Sequence, residues 1–228
     1  MPRAAAARKR DHDLPGRRAG HAASSPDSLA EEIMESMLVT VGKKGYREAT
    51  VEQVLAGFGG HRIQFWERFE SKEECFEAAY RSWLDRLVTE ILTAASAESE
   101  WRLQLRAGVV AFLEFVEARP AIARALLLEP EAAGDPTRSQ REETIARLGE
   151  AIDTVREQVP DEERPPPLTG VFVAGGIASF AANQLAGNSL AELWQGLPEL
   201  IDFAVGPYLG EEAAEQEAAA AEELLACR

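Results

Sequence analysis

The sequence predicts an all-α protein: an N-terminal three-helix unit of the helix-turn-helix kind, followed by a larger helical domain. Three observations carry this. Apolar residues recur at steps of three and four in segment after segment, with no strand-like alternation and no internal repeat. Two capping boxes, Thr50-x-x-Gln53 and Ser71-x-x-Glu74, bracket a stretch holding Gly57, Gly59 and Gly60, so two helix starts enclose a sharp turn. Finally, residues 165–191 carry no charged side chain, as a helix buried on most of its circumference would.

Each element follows in order. The first helix carries Leu29, Ile33, Met37 and Val41 at steps of four and exits through KKGYREAT, Lys43 to Thr50. Thr50 opens the second helix. The glycines supply the permissive backbone of the turn, and Phe65 and Phe69, four apart, anchor the next short helix by one face. Its other face is left free to meet a groove. Ser71 then opens a long helix running through Tyr80, Leu84, Leu87 and Ile91, and another carries Trp101, Leu105, Val109, Phe112 and Val116. The run Arg119 to Pro130 is a short helix opened near Pro120, and Pro136 begins a longer one bearing Ile145, Leu148, Ile152 and Val155.

The uncharged stretch is long enough to span a bilayer, but a membrane span is rejected. It holds Thr169, Ser179, Asn183, Gln184 and Asn188, and its large apolar residues Val173, Ile177 and Phe180 form only a stripe. Gly170, Ala174, Ala178, Ala182 and Ala186 recur at steps of four, a smooth ridge along which another helix approaches closely, which suggests a subunit interface. A last predicted helix from Leu190 to Leu209 puts Leu193, Leu197, Leu200, Ile201 and Val205 on one side, with Pro198 marking a kink or restart. The Ala/Glu-rich tail beyond is either helical or frayed.

Residues 28–80 resemble the DNA-binding domain of the TetR/AcrR family of transcriptional regulators. The most specific run is FWERFESKEECF, Phe65 to Phe76: an aromatic pair, a Phe, then Ser-Lys-Glu-Glu and an apolar residue. Two departures fall in the turn. Gly60 and His61 stand where the family usually has Val-Ser, which removes an apolar anchor and leaves a poor N-cap. Trp66 and Arg68 stand where Tyr and His are common, and Glu67 and Glu70 would repel phosphate if they faced it. The resemblance implies DNA contacts at Thr50, Arg62, Ile63, Gln64, Trp66, Arg68 and Lys72, with Arg62 and Gln64 long enough to reach base edges. It also implies a homodimer made by the last two helices, for which Gly170, Ala174, Ala178, Ala182, Leu193, Leu197 and Ile201 are the candidates. A ligand cavity between the middle helices is implied too. Its candidate lining is Trp101, Phe112, Phe115, Phe172, Phe180, Asn183 and Gln184.

The expected organisation is a disordered basic arm over 1–27, the helix-turn-helix domain over 28–75, a regulatory and dimerisation domain over 76–209, and an acidic tail over 210–228. Charge follows that division. The net charge is −15, yet residues 1–27 hold six Arg or Lys against three Asp. A basic arm ahead of a reading domain is a device for holding DNA. The arm lacks an apolar secretory core, so a cytoplasmic location is expected. Cys75 and Cys227 give neither a disulfide framework nor a metal spacing, and no metal or cofactor is expected. Of three histidines, His12 and His21 lie in the arm and His61 on the reading helix, which leaves a folded pocket no imidazole base; with no nucleotide or hydrolase motif present, catalysis is not expected. These readings converge on a ligand-responsive dimer that binds a double-stranded DNA operator, most simply a repressor with a small-molecule effector. The alternative is the same fold binding ligand or protein after losing sequence-specific DNA binding.

Overall fold

The computed structural model describes residues 26–227, whose helices are α1 (Pro26–Lys44), α2 (Val51–Phe58), α3 (Arg62–Trp66), α4 (Lys72–Ser96), α5 (Trp101–Ala118), α6 (Pro120–Leu128), α7 (Pro130–Ala133), α8 (Asp135–Ile152), α9 (Thr169–Ala186), α10 (Leu190–Leu193), α11 (Leu197–Leu209) and α12 (Glu211–Ala226). A 3-10 turn, Asp153–Gln158, extends α8, and no strand occurs among the described residues. The protein is all-α. The basic arm lies outside the described residues up to position 25; Pro26 already stands in the first turn of α1, two residues before the expected boundary, where a proline costs no hydrogen bond.

The expected boundary at 75/76 falls inside α4, a single continuous helix. One core accordingly runs through both parts. It begins with Ile33, Met37, Leu38 and Val41 of α1 against Val54, Leu55, Phe65 and Phe76, passes Tyr80 and Trp83, and continues into Phe112, Phe115, Leu126, Ile177, Leu197 and Ile201. Gly42 is the closest meeting point of α1 with α6: a Cβ there would overlap the carbonyl of Ala121. Prolines open several of the later helices, Pro120 in α6, Pro130 in α7 and Pro198 in α11, so the last is a restart rather than a kink.

The small-residue ridge of α9 serves a different neighbour from the one expected. Gly170, Ala174 and Ala178 are buried within the chain, and Gly170 packs on Gly149 of α8 so closely that a Cβ would overlap the Gly149 carbonyl. Small residues permit close approach without naming the partner, and α8 of the same chain takes the place. Leu193, Leu197 and Ile201 are likewise core residues of the protomer, and Ala182 is half-buried. The outward face of α9 instead carries Leu168, Phe172, Ser179 and Asn183; Phe203 of α11 lies over Gly176 beside it. α9 is the one helix among the described residues apolar and long enough to cross a membrane, but it packs on α6 and α8 within the bundle.

The Ala/Glu-rich tail is a formed helix. α12 lies along α11, burying Ala214, Ala221 and the Glu217 side chain. Glu217 accepts from Arg106 Nη1 at 2.8 Å and lies 3.5 Å from Arg102 Nε, so two α5 cations neutralise the carboxylate that α12 buries.

The α1–α6 approach sets a stability test. Gly42→Ala should destabilise by about 1–3 kcal/mol, as overpacking against backbone does. Gly175→Ala, whose nearest neighbour would be Ile145 Cγ2 at 3.9 Å, should be neutral or gain about 0.5–1 kcal/mol. Thermal unfolding of both variants gives the comparison, and an unchanged midpoint for Gly42→Ala would refute the contact.

Candidate nucleic-acid interface and ligand cavity

The candidate reading helix α3 is only five residues long and is held from behind. Phe65 is fully buried and meets Phe69 at 5.6 Å between ring centroids, so this one side chain pins the helix to the core. Gly59 takes the left-handed conformation (φ 74°) that ends α2, and Gly60 lies under the Phe58 ring, which would have to move to admit a side chain there. His61 makes no side-chain cap. The Gln64 Oε1 instead accepts from the His61 N–H at 2.7 Å and satisfies the helix start from the other direction.

This arrangement sorts the predicted DNA contacts. Ile63 is 70 % exposed and Trp66 45 %, with the indole edge-on to Phe65 at 5.0 Å, so both project from the outer face of α3. Arg62 is exposed beside them, 3.6 Å from Glu52 of α2. Thr50 caps α2 by accepting from the Gln53 N–H at 3.3 Å and stays exposed. The other three are engaged in the fold. Gln64 closes its own helix start, and Arg68 Nη1 donates to the Gln64 carbonyl at 3.1 Å. Lys72 Nζ donates to the carbonyls of Tyr46 and Ala49 at 2.9 and 3.3 Å and lies 4.3 Å from the Tyr46 ring centroid. It is a strut between α4 and the α1–α2 loop, a role that side-chain type and spacing do not reveal. Burial, with the Glu73 carboxylate beside it, pushes the Tyr46 phenol up to about 12, so it stays a neutral donor to Glu73 at 3.3 Å. Lys43, Lys44 and Arg47, just before α2, are exposed.

Behind the reader, a cavity of about 450 Å³ opens between α4, α5, α6, α8 and α9. Leu84, Leu87 and Ile91 of α4, Leu105, Val109 and Phe112 of α5, Leu126 and Leu127 of α6, and Ile145 and Leu148 of α8 make it predominantly apolar. Of the expected lining residues it takes in Trp101 and Phe112 and leaves out the other five. Phe115 packs edge-on to Trp83 at 6.3 Å, farther along α5 than the residues that line the cavity. Phe172 and Asn183 face outward, while Phe180 lies over Gly196 and Gln184 is half-buried elsewhere. The reason is rotation. The cavity takes the Ala174, Ile177, Ala178 face of α9, and the α9 residues expected in its wall lie on other faces. The α8 stripe Ile145, Leu148, Ile152, identified as amphipathic from the sequence, was the usable signal for the wall that was missed.

Cavity and reader are joined through α6. Arg124 donates from Nε to the Gly42 carbonyl at 3.2 Å, at the end of α1, and from Nη1 to the Leu185 carbonyl near the end of α9. The Tyr46 N–H donates to Glu129 Oε2 at 2.8 Å just beyond α6. Leu126 lines the cavity, and its carbonyl accepts from the Tyr80 hydroxyl of α4 at 3.0 Å. Among the described residues no cluster of His, Cys, Asp and Glu has the makings of a metal site.

The fold is that of the TetR-family transcriptional regulators. It is similar to the fatty acid degradation regulator FadR of Bacillus halodurans, with a TM-score of 0.69 at 15 % identity over 78 % of this chain and 94 % of that one. It is similar also to a TetR-family regulator of Marinobacter aquaeolei, with a TM-score of 0.64 at 18 % identity, covering 79 % and 95 % of the two chains. FadR of Bacillus subtilis, solved in complex with stearoyl-CoA, gives 0.66 at 11 % identity, covering 77 % and 97 %. No protein-family model and no curated protein matches the sequence.

The strut role of Lys72 is separable from a phosphate contact. Lys72→Met should lower stability by about 1–2 kcal/mol through the loss of two charge-assisted hydrogen bonds. Lys43→Met, on the exposed end of α1, should leave it within about 0.5 kcal/mol. Denaturant unfolding without DNA measures both, and equal midpoints would return Lys72 to the surface.

Proposed function

We propose that this chain is a homodimeric, ligand-responsive, DNA-binding transcriptional regulator, acting most simply as a repressor in the cytoplasm. The observation that carries the reading is the division of labour on α3, where one fully buried Phe holds the helix and Arg62, Ile63 and Trp66 face outward. A short rigid helix with its side chains presented beyond the domain surface is what entry into a major groove requires. The side chains fit that task. Arg62 supplies a fork for guanine, Ile63 apolar contact for a thymine methyl, and Trp66 an indole donor for phosphate.

In this reading the dimer forms through the outward faces of α9 and α11, where Phe172 and Phe203 are 71 % and 47 % exposed and α9 carries no charge. Two reading helices then meet successive major grooves of a near-palindromic site. The cavity holds the effector, which releases DNA only if it binds the incompatible spacing of the readers better than the compatible one. The stearoyl-CoA complex of the Bacillus subtilis protein is a precedent for ligand binding within this fold. A second reading, the same dimer without sequence-specific DNA binding, is favoured by the Arg62–Glu52 pair and the self-engaged Gln64.

Selecting bound duplexes from random DNA separates the two. Enrichment of a near-palindromic site is expected, and Arg62→Ala should then lose about 1–3 kcal/mol on that site and relax one base position per half-site. No enrichment would establish the second reading, and an equal loss on all sequences would make Arg62 a phosphate contact.

Assembly is tested on the outward face. Phe172→Glu should give a folded monomer by light scattering at micromolar concentration, with the thermal midpoint nearly kept. A monomeric wild type would end the dimer reading.

A further inference from the structure

The cavity wall contains one side chain out of character. The α8 residues facing the cavity are Arg141, Thr144, Ile145, Leu148, Ala151 and Ile152, a continuous helical stripe that is apolar except at its start. Arg141 therefore occupies an inward position that periodicity would give to a Leu or Ile. No Asp or Glu lines the cavity.

The other polar donors on the wall are already committed. The Tyr80 hydroxyl donates to the Leu126 carbonyl at 3.0 Å, Thr144 Oγ1 to the Gln140 carbonyl at 2.8 Å and Thr154 Oγ1 to the Ala151 carbonyl at 2.8 Å. Ser96 Oγ donates to the Thr93 carbonyl at 2.9 Å, Gln104 Nε2 to the Glu98 carbonyl at 3.0 Å and the Trp101 indole to the Ile152 carbonyl at 3.0 Å. Arg141 differs. Its neighbours Arg138 and Arg147 on α8 pair with Asp135 and Asp85, whereas Arg141 makes no ion pair or hydrogen bond among the described residues. Its charge is felt inside: burial raises the Tyr80 phenol well above its ordinary range, and the positive field of Arg141 opposes that rise. A half-buried guanidinium has five donors, and leaving them without an acceptor beside an apolar cavity is unfavourable.

We propose that the cavity binds an amphiphile with one anionic head, a carboxylate or a phosphate, which Arg141 takes as a fork while the apolar body lies along α8 towards Trp101. The inference rests on the reading of this cavity as the effector site and names the class of effector. The dimensions agree. From Arg141 to Ile152 the helix advances about 16 Å, and a volume of 450 Å³ holds roughly 15 non-hydrogen atoms at about 30 Å³ each. The head end is also the α6 end, because the Tyr80 hydroxyl, which feels the Arg141 charge, donates to the Leu126 carbonyl of α6. An anion there draws Arg141 towards the helix that touches α1.

The test compares decanoate, decyl phosphate and decanol by calorimetric titration of the full chain without DNA. At least one of the two anions should bind tenfold or more tightly than decanol, and the tighter of them identifies the head. Arg141→Gln should abolish that advantage and leave decanol within twofold, while Arg141→Lys should keep part of it, because the charge remains and the fork is lost. Equal binding of anions and alcohol by the wild type, no binding of any of the three, or an equal loss of all three in Arg141→Gln would overturn the proposal. The wild-type comparison decides even if a variant fails to fold. DNA is absent throughout, so failure to bind an operator sinks the regulator reading without touching this one, and a chain that binds its operator but prefers no anion sinks this one alone.

Discussion

The architecture depends on how closely α6 lies against the end of α1. At Gly42 the two backbones are in contact, and any side chain there would drive them apart. Arg124 secures the junction by bonding carbonyls near the ends of α1 and α9 with one guanidinium. A short helix so held has little independent freedom. Because α6 also supplies cavity wall, Leu126 and Leu127 are linked to the base of the helix-turn-helix domain through packed and hydrogen-bonded atoms. That is a physical connection between the cavity and the reader. It becomes a switch only if two arrangements of the junction lie within a few kcal/mol of one another.

The reading domain was legible because its signals are local. Capping boxes, a glycine turn and paired aromatics each act within four residues, and Thr50 with Gln53, Gly59 and Phe65 take the roles their spacing implies. Ser71 caps α4 by accepting from the Glu74 N–H, but the Glu74 carboxylate accepts from the Glu70 N–H instead of closing the box on Ser71. The helices of the second domain were legible for the same reason. What remained hidden was which neighbour each face meets. The small ridge of α9 was read for a partner chain and packs on α8. Its residues Phe172, Phe180, Asn183 and Gln184 were assigned to a cavity they do not line. Helical period gives the spacing of a stripe, while the angle about the axis is set by long-range packing. Lys72 failed similarly: an exposed-looking cation in the helix-turn-helix segment turns out to satisfy two carbonyls of a loop far away in the chain.

Electrostatics divides the molecule in a way that composition alone conceals. The body is strongly acidic, yet the acidic last helix is docked through Glu217, whose carboxylate is matched by Arg102 and Arg106. Those cations are on α5, an adjoining face of which lines the cavity. In the helix-turn-helix segment, Lys43, Lys44, Arg47 and Arg62 are exposed.

The two cysteines now acquire unequal chemistry. Cys75 is fully buried in α4, and burial pushes its thiol up, away from the reactive thiolate. Cys227 ends α12 in the open. A maleimide dye added to the native protein therefore lands at one defined place without any engineering. That place lies at the end of a helix docked along α11, so in the dimer proposed above energy transfer between two labelled chains would report subunit exchange in real time.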